Sequence, residues 1–259
     1  MVAERHESVR VEALDDGALW RVVLDRPKGN VLDREMVAGL ATVCARARDD
    51  ASLKALLFVG EGAHFSFGAS VQEHLPEHVS AMLVGFHSLF RALAATQVPM
   101  LAAVRGQCLG GGLELAMVCH RIFASPDAKL GQPEIKLGVF APVASVVLPE
   151  RIGRAAAEDL CLSGRVVDAG TALTLGLVDA VAADPDAAAL AYAREHLLPH
   201  SAAALRMAQH ALREAWWRSV FVALDDVERL YLCDLMATAD AREGIAAFLA
   251  KRQPVWSNR

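Results

Sequence analysis

Within Arg105-Gly106-Gln107-Cys108-Leu109-Gly110-Gly111-Gly112-Leu113-Glu114, three consecutive glycines join a strand-like apolar stretch to the first turns of a helical one. No other feature of the chain restricts its fold as much. Glycines let backbone approach another segment or a ligand with no Cβ in the way. For an isolated triplet the simplest use is close packing of helix on strand. Glu114 then falls in the first helical turn, where the helix dipole favours a carboxylate. Gly131-Gln132-Pro133-Glu134 places a second carboxylate in a proline-braced turn. Backbone N–H donors beside two carboxylates are the groups needed to stabilise an enolate while protons move.

Periodicity organises the remainder. Val9–Leu14 and Ala18–Leu24 alternate around Asp15-Asp16-Gly17 and predict a hairpin. Asp33 is placed to cap a helix running to about Arg48, with Met36, Val37, Leu40 and Val43 as its apolar residues. Leu53–Val59 and Met100–Val104 read as buried strands, the second entering the glycine run. Between them lie an irregular loop, Gly60–Val71, and a helix, Val79–Leu93. Short strands follow at Ile122–Ala124 and Lys129–Leu130. From Pro149 the pattern is mainly helical: Ala155–Leu162, Asp168–Leu175, Asp186–Leu197, Ser201–Trp217, Val220–Ala237 and Ala241–Ala250. Leu177–Val181 reads equally as strand or turn. The chain is therefore expected to be α/β, with a seam at Asp184-Pro185-Asp186 before a helical C-terminal region.

At 54% hydrophobic and 22% charged residues the composition is that of a globular protein able to bury a sizeable core. A net charge of −5 with no dense Lys/Arg run argues against a nucleic-acid surface. The charged N-terminus lacks a secretory apolar core, and no apolar run is read as reaching the ~18 residues of a membrane helix. Five cysteines without a pairing pattern fit reduced thiols in a cytoplasmic protein.

The glycine run and following turn, G-x-x-x-G-G-G-x-E and G-Q-P-E-x-x-L-G, resemble the signature of the crotonase superfamily, best known for the enoyl-CoA hydratases. Asp25-Arg26-Pro27-Lys28 resembles its R-P-K segment and Phe65-Ser66-Phe67-Gly68-Ala69-Ser70 its F-x-A-G-A-D loop. Leu162-Ser163-Gly164-Arg165 with Asp168 and Ala169, then Gly176-Leu177-Val178, resembles its later core. Arg242-Glu243-Gly244 with Phe248, Lys251 and Arg252 resembles its C-terminal motif. The resemblance spans nearly the whole chain. It implies a spiral core of ββα turns over 1–184, a helical oligomerisation region over 185–259, and assembly as a homotrimer or dimer of trimers.

The resemblance also implies roles. Glu114 and Glu134 would hold the attacking water and share acid and base duties, and having both points to hydration over isomerisation. Backbone amides of Ala69 and Gly111 would bind the thioester oxygen. Coenzyme A, as part of the substrate, would be met by Lys28, Phe67, Gly68, Ser70 and Val71, and across a subunit boundary by Lys251, near Leu232. Phe67 and Ser70 stand where Ala and Asp are usual. No separate cofactor and no metal is implied.

After Leu137-Gly138 the chain reads Val139-Phe140-Ala141-Pro142-Val143-Ala144-Ser145, where ordinary fatty-acyl hydratases carry a Pro-Gly-x-Gly-Gly run. Phe140 and Pro142 add rigid apolar volume to the expected acyl pocket. L-G-V-F-A-P-x-A-S resembles the cyclohexa-1,5-diene-1-carbonyl-CoA hydratases of anaerobic aromatic degradation. Those enzymes add water 1,4 to give 6-hydroxycyclohex-1-ene-1-carbonyl-CoA. A general short-chain enoyl-CoA hydratase and an enoyl-CoA isomerase are the alternatives, and a non-catalytic acyl-CoA or RNA binder is a third.

Other motifs read as structural. His74-Leu75-Pro76-Glu77-His78 has inverted-zincin spacing, but Pro76 would break the helix that must carry both histidines, and a solvated loop is expected. His120 reads as a buried histidine at a helix end, Trp216-Trp217 as core or subunit contact, and Arg151, Arg154 and Arg165 as solvated helix-end charges.

Overall fold

The computed structural model describes residues 3–6 and 8–259. Among them, seven strands form one sheet in the order β1 (Ala3–His6), β2 (Val9–Leu14), β3 (Leu19–Leu24), β4 (Ala55–Gly60), β5 (Met100–Val104), β7 (Arg121–Ala124) and β10 (Ala180–Val181). The first three are antiparallel, and β3 through β10 run parallel. Three short strands, β6 (Gln107–Leu109), β8 (Lys129–Gly131) and β9 (Val166–Asp168), form a second sheet. Successive turns of chain give one strand to each sheet and then a helix. β5 and β6 lead into α3 (Gly111–Met117), and β7 and β8 lead through a short helical turn, Pro133–Leu137, to α4 (Pro142–Ile152).

This is the expected ββα spiral, and its second layer sets up the site. Cys108 pairs with Leu130, which pairs with Val167. Parallel bridges Ser66–Cys108 and Leu32–Ala69 carry the layer back into the two preceding turns. The loop after β4 is thereby held against the exit of β6.

Both faces of the large sheet are covered, which is why its parallel strands are nearly continuous apolar runs. On β3 and β4, Val22, Leu24, Leu56 and Phe58 face α1 (Arg34–Asp49) and α2 (Val79–Thr96), while Leu19, Val23, Leu57 and Val59 join a second core with Ala189 and Ala193 of α7 (Pro185–His196). Asp33 caps α1 as expected, accepting from the Met36 N–H at 3.0 Å. A division after residue 184 thus cuts through a core that α7 shares with the sheet.

Several elements differ from the periodicity reading. The helical region begins before Pro149, which lies inside α4, and Pro142 occupies the first turn of that helix, where a missing N–H costs nothing. Residues 201–237 are not two helices. α8 (Ala202–Arg229) is continuous, because nothing between Trp217 and Val220 opposes helix and Ser219 bonds back to the Trp216 carbonyl at 2.8 Å. It runs on into a π-helical turn, Leu230–Asp234. The three-residue strands β6 and β9 are too short for periodicity to register, and β1 was not anticipated either. α2 is long and apolar enough to cross a membrane by length and composition, contrary to the reading of the sequence, but it buries nine side chains, Phe86, Leu89 and Phe90 among them. The remaining helices are α5 (Arg154–Ser163), α6 (Ala169–Leu175) and α9 (Ala239–Leu249).

Candidate active site

The glycine triplet divides its work. Gly110 caps α3 at φ 50°, ψ −128°, a backbone region closed to other residues. A Cβ there would stand 2.3 Å from Glu134 Oε1. At Gly112 a Cβ would stand 2.6 Å from that of Ser66, so this glycine serves packing. Between them, Gly111 brings its backbone beside Ala69, whose amide nitrogen would be 3.1 Å from a Cβ at 111. Among the described residues, neither the Ala69 nor the Gly111 N–H has a hydrogen-bond acceptor. Gly68, at φ 99°, makes the bend that turns the Ala69 amide toward the helix start.

Glu114 points into the interior from α3, every residue of which is buried. Its Oε1 accepts from the Ala144 N–H at 2.8 Å, and the Val143 N–H adds to this hold. Pro142, as the first residue of α4, aims those two amides at the carboxylate. Glu134 reaches the same place from the turn after β8. Its Oε1 lies over Gly110, and its Oε2 is buried without a partner. The two carboxylates interact, so spatial proximity, which their spacing in sequence left open, is provided by adjacent turns of the spiral.

Burial, which favours the neutral acid, is the largest influence on each carboxyl and raises both well above the usual carboxylate range. Amides of Ala144 and Val143 partly offset this at Glu114, whereas at Glu134 the Glu114 charge adds to it. A pair raised in this way retains a proton near neutrality, and one member can act as acid while the other acts as base. The kcat/KM profile should therefore lose its acid side well above pH ~4.3, where an ordinary glutamate titrates. A limb at ordinary carboxylate pH, measured on the wild-type protein, would contradict a buried, interacting pair.

A cavity of about 510 Å3 opens in front of Glu134, lined by Phe67, Gly68, Ala69, Val71, His74, Phe248 and Arg252 among others. Lys28 lies outside it, exposed beside an adjoining groove with Arg26 and His64. The Phe67 ring packs directly over Gly29 and 4.9 Å from the His64 ring, linking groove to cavity.

Three expectations need correction. Ser70 does not line the cavity: its N–H bonds Leu32 and its carbonyl accepts from His74. His74 consequently is not in a solvated loop but is a half-buried cavity wall, with burial lowering its pKa. Lys251 is exposed and does not line the cavity of its own chain. α9 packs on the turns 71–74 and 133–137 of its own chain, so Phe248, Arg252, Gln253 and Pro254 line the cavity. Phe140 and Pro142 stand behind the cavity rather than in its wall. Phe140 meets Tyr231 edge-on, ring centroids 5.1 Å apart, and Pro142 is buried at the start of α4.

Other candidates are structural. Arg151 binds Asp179 and the Leu177 carbonyl and so is no solvated charge, and Arg165 pairs with Asp159. His120 accepts from the Met100 N–H, and burial lowers its pKa to about 3. Trp217 is buried and stacks on Phe221 at 5.2 Å. Reading the sequence missed Tyr231. Its only signal in the sequence was a place beside Leu232, which the family resemblance had drawn toward the ligand.

A protein-family model for enoyl-CoA hydratase/isomerase matches residues 15–259. The chain belongs to the enoyl-CoA hydratase/isomerase family. It is 48% identical over 258 residues to the cyclohexa-1,5-dienecarbonyl-CoA hydratase of Thauera aromatica, covering 100% of both chains. It is 36% identical to a protein of Mycobacterium bovis named a probable enoyl-CoA hydratase, covering 98% of this chain and 99% of that one. Among solved structures, an enoyl-CoA hydratase from Mycobacterium avium subsp. paratuberculosis superposes with a TM-score of 0.85 at 28% identity, covering 98% of this chain and 100% of the other. Chains of this family share the spiral seen here, so the carboxylate pair and the glycine-built amides occur in an enoyl-CoA hydratase/isomerase fold.

Proposed function

We propose that this protein is a hydratase that adds water 1,4 to cyclohexa-1,5-diene-1-carbonyl-CoA, giving 6-hydroxycyclohex-1-ene-1-carbonyl-CoA. The observation that carries the reading is the buried pair Glu114 and Glu134 beside two unbonded backbone N–H groups. Full-length identity of 48% to the Thauera aromatica hydratase supports the substrate. Water oxygen bonds to the ring carbon β to the thioester, and the electron pair of the C=C bond moves toward the thioester oxygen. The Ala69 and Gly111 amides receive that charge, and loss of one such donor typically costs about 2.7–4 kcal/mol of barrier. One glutamate takes the proton of the water, and the other delivers a proton to the far end of the dienolate. Coenzyme A enters as part of the substrate along the cavity under Phe67, and the chemistry calls for no separate cofactor. Two carboxylates suit hydration better than isomerisation, which moves one proton and needs only one.

Phe140 packs edge-on against Tyr231, a buried residue that feels both glutamates, and in this reading shapes the acyl end of the site through it. Cyclohexa-1,5-diene-1-carbonyl-CoA should be hydrated with higher kcat/KM than crotonyl-CoA, and Phe140→Gly should narrow that gap by about 1–3 kcal/mol. A wild-type preference for crotonyl-CoA would replace this reading with a general short-chain hydratase. Exposed Met207, Leu212 and Val222 on α8 support assembly through that helix as a trimer or dimer of trimers. Sedimentation of a monomer at micromolar concentration would refute it.

A further inference from the structure

Tyr231 is wholly buried, yet its hydroxyl has no hydrogen-bond partner. A buried phenol normally finds one, so an orphaned one calls for a reason. Its ring is fixed edge-on against Phe140, three residues before the first of the two α4 amides that hold Glu114. It sits in the π-helical turn Leu230–Asp234, a rare distortion of helix that often occurs at functional positions. A regular continuation of α8 would turn residue 231 to a different angle. Glu134 Oε2, also buried, lacks a partner as well. The charges that act on the phenol are those of Glu134 and Glu114, and with burial they push its pKa up, leaving it a neutral O–H donor across the working range. Cys161 feels the same two carboxylates but lies only half-buried, with a raised pKa that keeps it a thiol.

We propose that Tyr231 is a third polar group of the site, whose O–H donates to the oxygen of the water held by Glu114 and Glu134. This rests on the hydratase reading. A water that donates to two carboxylates and accepts from one hydroxyl keeps a single lone pair free for the ring carbon. As a glutamate removes its proton, the oxygen gains negative charge, and the Tyr231 hydrogen bond strengthens. A donor whose interaction grows toward the transition state lowers the barrier more than it improves binding. In the reverse direction the same hydroxyl stabilises the departing oxygen. No bond to Tyr231 is made or broken, and its proton stays on the phenol.

The test is Tyr231→Phe, which keeps the ring against Phe140. Removing an unpaired buried hydroxyl should leave Tm unchanged or raised. Turnover of whichever enoyl-CoA the wild type hydrates best should fall about 10- to 100-fold, with KM within about threefold. Because a donor near carboxylates favours their charged form, its loss should move the acid limb of the kcat/KM profile to higher pH. Infrared spectra of the protonated carboxyl band, read without substrate, should move the same way. Turnover within about twofold of wild type and an unmoved acid limb would overturn the role of Tyr231 and leave the hydratase reading standing. Wild-type protein inactive on every enoyl-CoA would refute the hydratase reading instead. The infrared titration would then decide for Tyr231, and identical midpoints in the two proteins would overturn it.

Discussion

Glu134→Gln is expected to lower turnover by about 10²- to 10⁴-fold, the usual worth of a positioned acid or base, while making the folded protein more stable at neutral pH. Glu114→Gln should behave alike. The two effects share one cause. Burial raises both carboxyls above their value in the unfolded chain, so between that unfolded value, about 4.3, and the raised one the folded state binds more protons. Stability then falls as pH rises through this window, and the favourable contribution present at low pH is lost at neutrality. A neutral amide escapes that loss, which at 1.36 kcal/mol per pKa unit should amount to roughly 1–3 kcal/mol. Glutamine can still accept from the Ala144 amide at position 114, so little else changes. Thermal melts of wild type and variants at pH 5 and pH 8 would settle the matter: the gap should open at the higher pH. Near-normal turnover in either variant would remove the proposed water-holding pair. An unstabilised but inactive variant would mean that the carboxyl is compensated by a contact other than those described.

Gly110→Ala should be as damaging to activity, by a different route. The new methyl group would lie 2.3 Å from Glu134 Oε1, and a side chain of this length can swing aside. Folding therefore survives, at a cost of about 1–3 kcal/mol for the unfavourable backbone conformation. The displaced carboxylate no longer faces Glu114, and the Gly111 amide moves with the strained cap. A turnover loss beyond about 100-fold in a protein that still melts cooperatively is the expected result. Activity within about tenfold of wild type would show that the position of Glu134 over Gly110 is not the working one. Gly112→Ala offers a contrast, since its methyl group would strike Ser66 in the core and should cost stability first.

Much of this architecture was legible along the chain because its determinants are local. The β2–β3 hairpin, the Asp33 cap of α1, and the strand at Met100–Val104 each follow from side chains within a few positions of one another. Motif resemblance then singled out Glu114, Glu134, Ala69 and Gly111, since exact spacing around glycines is preserved in the linear order. Composition and periodicity alone would have stopped at an α/β protein with no particular partner.

Contacts between distant turns were beyond such reading. Glu114 and Glu134 are neighbours only because β6 and β8 lie side by side, and the Ala69 amide reaches Gly111 only because the Ser66–Cys108 bridge ties two turns of the spiral. Pro142 looked like pocket lining and instead aims α4 at Glu114, while Arg252, not singled out for the site, lines the cavity. Tyr231 depended on a π-helical turn, whose one-residue change in phase no periodic pattern announces. Local propensity and motif order act over a handful of residues, but desolvation and proximity belong to the packed molecule. Which groups could matter was thus written in the chain. Their altered acidity and their proximity arose from burial and packing, which exist only after folding.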